Sequence, residues 1–357
     1  MSYFDQHRTV LRQLFHVLGK DDDWSDDPEL FVSHTLPRWL GTEHGQVGDK
    51  EPFTDSQILA ARPLLSQLGL TDRVDPPQTR YDEVVVLGAA AIGLHRRLEL
   101  VRTSGVRAEV LTVLAGMRPH PGAAGYGRDG GIRELLASAG RFAATDGWKP
   151  PALASHLADL LSGLGVNDDD AARIVLPSET AIAKLLLAKH WPSLQLREIR
   201  VPDSPHEHEN TELGQREILW YEWSGPPELP RVRLLNGQPV ARPHGPPRPT
   251  TASTIEEWLE SLPAAENSHS VLFVVNQPHL GRVALTLKEL LSRQVAPRIE
   301  FDIAGCETLT DVSIHLLLGE LPARIASETT SSAAAEAAAA SGGRSPRAGR
   351  RDDGDGH

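Results

Sequence analysis

A histidine and an arginine that could do chemistry stand three residues apart in the last third of the chain. His279 and Arg282 follow the apolar run "SVLFVV" and precede the helical pattern "VALTLKELL". A histidine can transfer a proton near neutral pH, and an arginine presents a fixed fork of donors to a phosphate or a carboxylate. Their place after a strand predicts a ligand site with His279 as a catalytic acid or base, although Arg282 could instead pair only with a neighbouring glutamate.

Hydroxyl side chains are dense in the preceding segment "RPTTASTIEEWLESL", residues 248–262. Ser253 or Thr254, together with the glutamates that follow, predicts a helix N-cap close to a capping box. A helix start that is rich in hydroxyls also suits a phosphate or a ribose, so we predict that both residues contact a ligand. Glu256 is predicted as a second catalytic residue, which orients His279 or accepts a proton from a hydroxyl.

Glycine ends two of the apolar runs. Gly88 closes "EVVVLG" and is followed by small residues, and Gly116 closes "AEVLTVLAG". Small residues at a strand-to-helix turn let backbone N–H groups approach an anion, which the helix dipole also favours. A tight turn without a ligand explains Gly88 equally well. The motif "GYGRDGG" begins at Gly125, too far after a strand to be a dinucleotide fingerprint.

The segment "PSETAIAKLLLAKHWPSL" predicts a helix with Ser178 as its N-cap. Glu179 suits the positive end of that helix, and we also carry it as a third catalytic candidate. "HEHEN", residues 206–210, offers two imidazoles without a third ligand at a recognisable spacing, so no metal site is predicted. No G-x-S-x-G elbow occurs, and Cys306 lacks a nucleophile signature, so hydrolase triads are not supported.

Composition excludes several classes of function. The 357 residues carry a formal net charge of −12, and no basic cluster is interleaved with aromatic residues, which argues against nucleic acid as a partner. Cys306 is the only cysteine, so neither an intramolecular disulfide nor a cysteine-built zinc site is possible. No signal-peptide core and no membrane-length apolar run occurs, and we predict a cytoplasmic protein without a membrane partner.

The elements that must position these residues change in character near Asp82. Residues 1–80 read as amphipathic helices, which predicts an N-terminal helical subdomain. From 81 to 325, buried strands such as "EVVVLG" and "PRIEFDIAG" alternate with helical segments. This alternation predicts an α/β fold, a Rossmann-like parallel sheet flanked by helices, with ligands at the carboxyl ends of the strands.

Three segments depart from that alternation. Residues 118–150, rich in glycine and alanine, and residues 203–250, which contain a strand pair, are predicted to be insertions over the ligand edge of the sheet. Residues 328–357 are of low complexity and are predicted to be a disordered tail.

Taken in chain order, these segments resemble the DUF218 family, also called YdcF-like proteins. Its pattern is a glycine-ended strand and a helix with an early arginine, a second glycine-ended strand, a "sEA" helix start, an "N-T-x-E-N" segment, and "H-x-x-R" after a strand. The matching residues here are Gly88, Arg96 or Arg97, Gly116, Glu179, Thr254, Glu256, His279 and Arg282. The chain departs from the pattern at Ala89, Ser253 and Glu257.

The resemblance implies a Rossmann-like protein whose relatives include members linked to the cell envelope and members linked to nucleotide-type ligands such as S-adenosylmethionine. It adds Arg96 and Arg97 to the predicted ligand-binding residues. The resulting hypothesis is a transferase or hydrolase that acts on or uses a nucleotide-like or phosphorylated small molecule. The alternative is a non-catalytic small-molecule-binding or partner protein of the same fold, such as an accessory protein of specialised metabolism.

Overall fold

The structure is a computed structural model that describes the segments 1–39, 53–89, 91–116, 219–224, 231–237, 249–262, 268–293, 298–308 and 314–342, with isolated positions between 179 and 240. The helices are α1 (Tyr3–Val17), α2 (Pro28–Trp39), α3 (Asp55–Gln67), α4 (Ala91–Thr103), α5 (Thr251–Glu260), α6 (Leu280–Ser292) and α7 (Ile314–Gly342). The strands are β1 (Arg80–Leu87), β2 (Arg107–Gly116), β3 (Leu219–Ser224), β4 (Arg231–Gly237), β5 (His269–Asn276) and β6 (Ile299–Cys306).

The six described strands form one sheet in the order β3-β4-β2-β1-β5-β6. All neighbouring pairs are parallel except β3 and β4, which run antiparallel at one edge. The chain moves outward from β1 through β2 to β4 and then returns to place β5 on the other side of β1. This order confirms the predicted Rossmann-like α/β fold, and it puts the topological switch point between β1 and β5.

Both faces of the sheet are covered, which explains why its central strands are apolar throughout. Val84 and Val86 of β1 pack on one side with α4 and with helical positions near Leu186. Val85 and Leu87 pack on the other side with α5 and α6. Alternate residues of one apolar run therefore belong to two separate cores.

The strand pair within 203–250 belongs to the central sheet, so the prediction of an insertion over that whole range was wrong. Strand β4 pairs in parallel with β2 over the full length of β4, and Val232, Leu234 and Leu235 are fully buried. The short apolar run "RVRLLNG" supplies a buried strand, which outweighs the proline-rich sequence around it. The insertion predicted at 118–150 lies outside the described residues.

The N-terminal helices share their core with the start of α7. Phe4, Leu14 and Phe31 pack in one cluster with Leu317 and Leu321. The helical layer that was predicted from residues 1–80 is therefore completed by a helix from the far end of the chain. None of the helices in the described segments is long and apolar enough to cross a membrane.

Helix α7 continues to Gly342, past the predicted start of a disordered tail at residue 328. The stretch "AAAEAAAA" explains this difference, because alanine has the highest intrinsic helix propensity. Residues 343–357 of the predicted tail lie outside the described part of the chain.

Candidate functional site

The carboxyl ends of the parallel strands form one edge, on which the predicted site residues are placed. Val86 of β1 pairs with Val274 of β5, so Gly88 is level with Asn276, two residues further along each strand. Gly116 ends β2 beside Gly237 of β4. The glycines that were predicted from separate sequence motifs therefore lie along the same edge.

Gly88 is required by close packing and not by the turn that the sequence suggested. Positive φ angles among the described glycines occur at Gly19, Gly69 and Gly105 instead. A Cβ atom on Gly88 would lie 2.5 Å from the carbonyl oxygen of Leu114. Backbone atoms of two neighbouring strand ends approach so closely that a side chain does not fit.

Glu179 lies at the ends of β1 and β2. Its side chain is buried, and Oε2 accepts a hydrogen bond from the backbone N–H of Gly116 at 2.9 Å. A Cβ atom on Gly88 or Gly116 would lie 3.2 or 3.1 Å from the same oxygen. The structure therefore brings three predicted residues together. The backbone N–H of Gly116, which was predicted to bind a ligand, donates to the carboxyl group of Glu179.

A carboxylate in this position changes the chemistry expected there. Rossmann-like folds bind phosphates at strand ends of this kind through backbone N–H groups. Here Glu179 already accepts from the Gly116 N–H, which a phosphate at this position would need as a donor. Hydroxyl groups of a ligand, which donate hydrogen bonds, suit this carboxylate better.

The two arginines of α4 serve the chain itself at this edge. The buried Arg97 donates from one terminal nitrogen to the carbonyl oxygens of Leu87, at 2.5 Å, and Gly88, at 2.8 Å. Arg96 forms an ion pair with Glu307, just after β6. These contacts stabilise the ends of the strands, and the ligand contacts that the resemblance implied for both arginines stay a prediction.

An amide stands at the switch point itself. Asn276 ends β5, and its Nδ2 atom would lie 2.6 Å from a Cβ atom on Gly93 of α4. Its Oδ1 atom is buried and has no hydrogen-bond partner among the described residues. A glycine in the first turn of α4 thus makes room for a polar group between β1 and β5.

His279 and Arg282 are brought together by a residue that sequence reasoning missed. Glu320 of α7 is 5% exposed, and its Oε2 atom lies 3.0 Å from Nδ1 of His279. Arg282 donates from Nε to Oε1 of Glu320 at 2.9 Å. The outer guanidinium nitrogen of Arg282 also lies 3.5 Å from Nδ1 of His279. One buried carboxylate therefore positions both predicted side chains.

The charges in this group determine the state of Glu320. Burial alone would raise the pKa of its carboxyl group. The hydrogen bond from His279, its charge when it is protonated and the positive charge of Arg282 outweigh burial, and they hold the pKa of Glu320 below its ordinary value. Glu320 is therefore ionised at neutral pH.

Two predictions for α5 differ from the structure. Glu256 is exposed, and Glu320 rather than Glu256 lies beside His279. The alternative role of Glu256, to accept a proton from a hydroxyl, stays a prediction. The N-cap is Thr250, which forms a reciprocal capping box with Ser253. In a capping box the side chain of the third helical residue accepts a hydrogen bond from the backbone N–H of the N-cap residue. Ser253 has this role, so it is the partner of the N-cap and not the N-cap itself.

Thr254 also serves its own helix. Its hydroxyl group donates to the carbonyl oxygens of Thr250 and Thr251, at 3.2 and 3.1 Å. Its methyl group packs on the end of β4, where it would lie 2.6 Å from a Cβ atom on Gly237. Ser253 and Thr254 are both buried. The hydroxyl groups that were predicted to contact a ligand are thus bonded locally.

A weak signal for Glu320 exists in the sequence. "IHLLLGELPARI" is an apolar helical run with a single carboxylate, and a carboxylate on an apolar helix face requires a partner when it is buried. The run does not indicate which partner, because His279 lies 41 residues earlier. Only the packing of α7 on α6 supplies that information.

Comparisons with models of protein families, with curated proteins and with solved structures find no match to this chain. The resemblance to DUF218 and the chemistry of the site therefore depend on the residues themselves.

Proposed function

We propose that this protein is an enzyme that acts on or uses a nucleotide-like or phosphorylated small molecule at the carboxyl edge of the sheet. The observation that carries the proposal is the contact of the buried Glu320 carboxylate with both His279 and Arg282. In this reading His279 is the general acid or base, and Arg282 binds the anionic part of the ligand.

The contact with Glu320 prepares His279 for proton transfer. A carboxylate that accepts from Nδ1–H fixes the ring and its tautomer, and this leaves the lone pair of Nε2 to accept a proton. No hydrogen bond joins Nε2 of His279 to another residue in the described segments. The side chain is 35% exposed, so a ligand can reach it.

Arg282 supplies the charge for an anion beside that base. Its side chain is 33% exposed, and Glu320 holds the guanidinium group through Nε at 2.9 Å and through a terminal nitrogen at 3.4 Å. A guanidinium group binds phosphate through paired hydrogen bonds. We therefore assign the anionic group of the ligand to Arg282, which the sequence had also predicted to hold charge, and not to the backbone at Gly88.

The other polar groups of the edge suit the remainder of such a ligand. The Glu179 carboxylate can accept from hydroxyl groups, as an acidic residue does for a ribose in dinucleotide-binding folds. The buried Oδ1 of Asn276 is an acceptor at the switch point. By the DUF218 resemblance, S-adenosylmethionine or a nucleotide is the proposed cofactor or substrate.

A thermal-shift screen with nucleotides, S-adenosylmethionine and sugar phosphates tests ligand binding. A ligand at a hundred times its dissociation constant adds about 2.7 kcal/mol to the free energy of unfolding. We expect one class to stabilise the wild type and not Arg282→Ala. Arg293→Ala is the matched control, because Arg293 lies at the exposed end of the same helix and pairs with Glu289. Equal shifts in all three proteins would contradict the placement of the anion.

Turnover tests the catalytic part. With the ligand class identified, His279→Ala should bind it and lose at least about a hundredfold in rate, as expected for removal of a general acid or base. His34→Ala, which removes an exposed histidine from α2, should retain full activity.

A non-catalytic binding protein is the second candidate. It is favoured by the local bonding of Ser253 and Thr254 and by the use of the Gly116 N–H by Glu179. These contacts occupy groups that a catalytic site of this kind would use for its ligand. Binding that depends on Arg282, together with no turnover of any compound in the panel, would decide for this candidate.

A further inference from the structure

A second group of titratable side chains lies between α4 and the helical positions that follow Glu179. His95 and Glu99 of α4 meet His190 there. Both histidines are more than nine-tenths buried, whereas the Glu99 side chain is 38% exposed. Within the described residues, this is the one group of three His, Cys, Asp or Glu side chains whose ligand atoms come together.

The distances in this group are close to those of a metal site. Nε2 of His190 lies 2.8 Å from Nδ1 of His95, and the other ring nitrogen of His190, Nδ1, lies 3.4 Å from Oε2 of Glu99. With one ligand atom taken from each residue, the three atoms lie within 4.8 Å of one another. In a tetrahedral zinc site, bonds of about 2.0–2.1 Å place neighbouring ligand atoms about 3.3 Å apart. An ion would therefore draw the three side chains closer together and engage one nitrogen of His190.

We propose that His95, Glu99 and His190 bind a divalent transition-metal ion. Two imidazole nitrogens and one carboxylate oxygen form a ligand set that suits Zn²⁺ best among common ions, since Ca²⁺ and Mg²⁺ prefer oxygen ligands alone. Three protein ligands leave a fourth tetrahedral position for water. No metal site was predicted here from the sequence, because His190 is distant in sequence from His95 and Glu99.

Local structure supports each ligand. His95 and Glu99 are four residues apart on α4, so they lie on the same face of the helix. Arg102 donates to Glu99, and this outer contact orients the carboxylate, as second-layer partners do in metal sites.

The group uses residues other than those assigned to the proposed catalytic edge. His190 follows Glu179 by eleven residues, and the described positions between them, 183, 186 and 187, are helical. A bound ion would therefore tie α4 to His190 without using the contact of Glu179 with Gly116.

A chain of hydrogen bonds from His95 through His190 to Glu99 is the competing explanation, and it requires no metal. Equilibrium dialysis of the full chain against Zn²⁺, after removal of metal with a chelator, distinguishes the two. We expect one tightly bound Zn²⁺ per chain in the wild type. Affinity should fall at least about tenfold in His190→Ala and in Glu99→Gln, since removal of even an outer-layer partner commonly costs that much.

Two controls separate this site from other histidines. The double variant His206→Ala/His208→Ala removes the imidazoles of "HEHEN", and His34→Ala removes an exposed histidine of α2. Both should bind Zn²⁺ as the wild type does. If His190→Ala does not fold, Glu99→Gln still tests the proposal, because the Glu99 side chain is partly exposed and the change keeps its shape.

X-ray absorption of the Zn²⁺-loaded wild type gives an independent reading of the ligands. We expect two imidazoles and oxygen ligands without sulfur. The proposal is overturned if no stoichiometric Zn²⁺ binds, if binding survives in both Glu99→Gln and His190→Ala, or if it is lost in the double variant at residues 206 and 208.

Discussion

Replacement of Glu83 by alanine should destabilise the protein severely. Glu83 lies within β1 and is 2% exposed. Its carboxylate accepts a hydrogen bond from Thr112, accepts another from Nε1 of Trp258 at 3.0 Å, and lies 3.0 Å from Nε2 of His269. Thr112 and Trp258 are wholly buried. Glu83→Ala therefore leaves two buried donors without their acceptor.

The magnitude follows from those donors. A buried donor without a partner costs about 1–3 kcal/mol, and removal of one member of a buried charged network costs about 3–5 kcal/mol. We expect Glu83→Ala to lower the free energy of unfolding by about 3–5 kcal/mol. Urea unfolding followed by circular dichroism measures this value. Glu109→Ala, an exposed change on β2, should shift it by less than about 0.5 kcal/mol.

The pH dependence of His269 gives a second measurement on the same network. The hydrogen bond from His269 to Glu83 raises the pKa of the imidazole above 6.5, against the effect of burial. Because the folded pKa is raised, this contribution to stability is fully present below pH 6.5 and is lost as the pH rises through the folded pKa. The stability difference between wild type and His269→Ala should therefore be larger at about pH 6 than at about pH 9.

Two results would refute this reasoning. One is a loss in Glu83→Ala no larger than that in Glu109→Ala, which would mean that Thr112 and Trp258 find other acceptors. The other is a His269→Ala difference that grows with pH, which would mean that the imidazole is bound in its neutral form.

Three further predictions concern the carboxyl edge. Gly88→Ala should lower the free energy of unfolding by about 1–3 kcal/mol in urea titrations, because the new methyl group would lie against the Leu114 carbonyl oxygen; a neutral result would show that the strand ends separate easily. Glu320→Gln should destabilise the protein at pH 7, and the difference from wild type should vanish in acid, since a lowered folded pKa gives stability above pH 4.5 that is lost as the pH falls through the folded pKa. Thr254→Val should leave ligand affinity in calorimetry within about threefold of wild type, because its hydroxyl group bonds its own helix. A tenfold loss would restore Thr254 to the ligand site.

The local sequence pattern was sufficient to predict the helices and strands and the edge of the sheet on which the proposed site lies. Continuous apolar runs around Val84 and Val271 predict strands that are buried on both faces, and the structure places both in the centre of the sheet. The positions of Gly88, Gly116 and His279 at strand ends were also predictable. These properties depend on residues within one or two turns or strands of each other, where periodicity and chain geometry determine the outcome.

Partners across the fold were not predictable in this way. The contact of Glu320 with His279, the approach of Glu179 to Gly116 and the meeting of His190 with His95 all join residues from different elements. Periodicity indicates that a residue is buried, but only the packing of helices on the sheet decides which polar group it meets there. The sequence by itself therefore determined the α/β architecture and the edge on which the proposed site lies. The tertiary structure alone decided which carboxylate orients the histidine, because that choice depends on how α7 packs against α6.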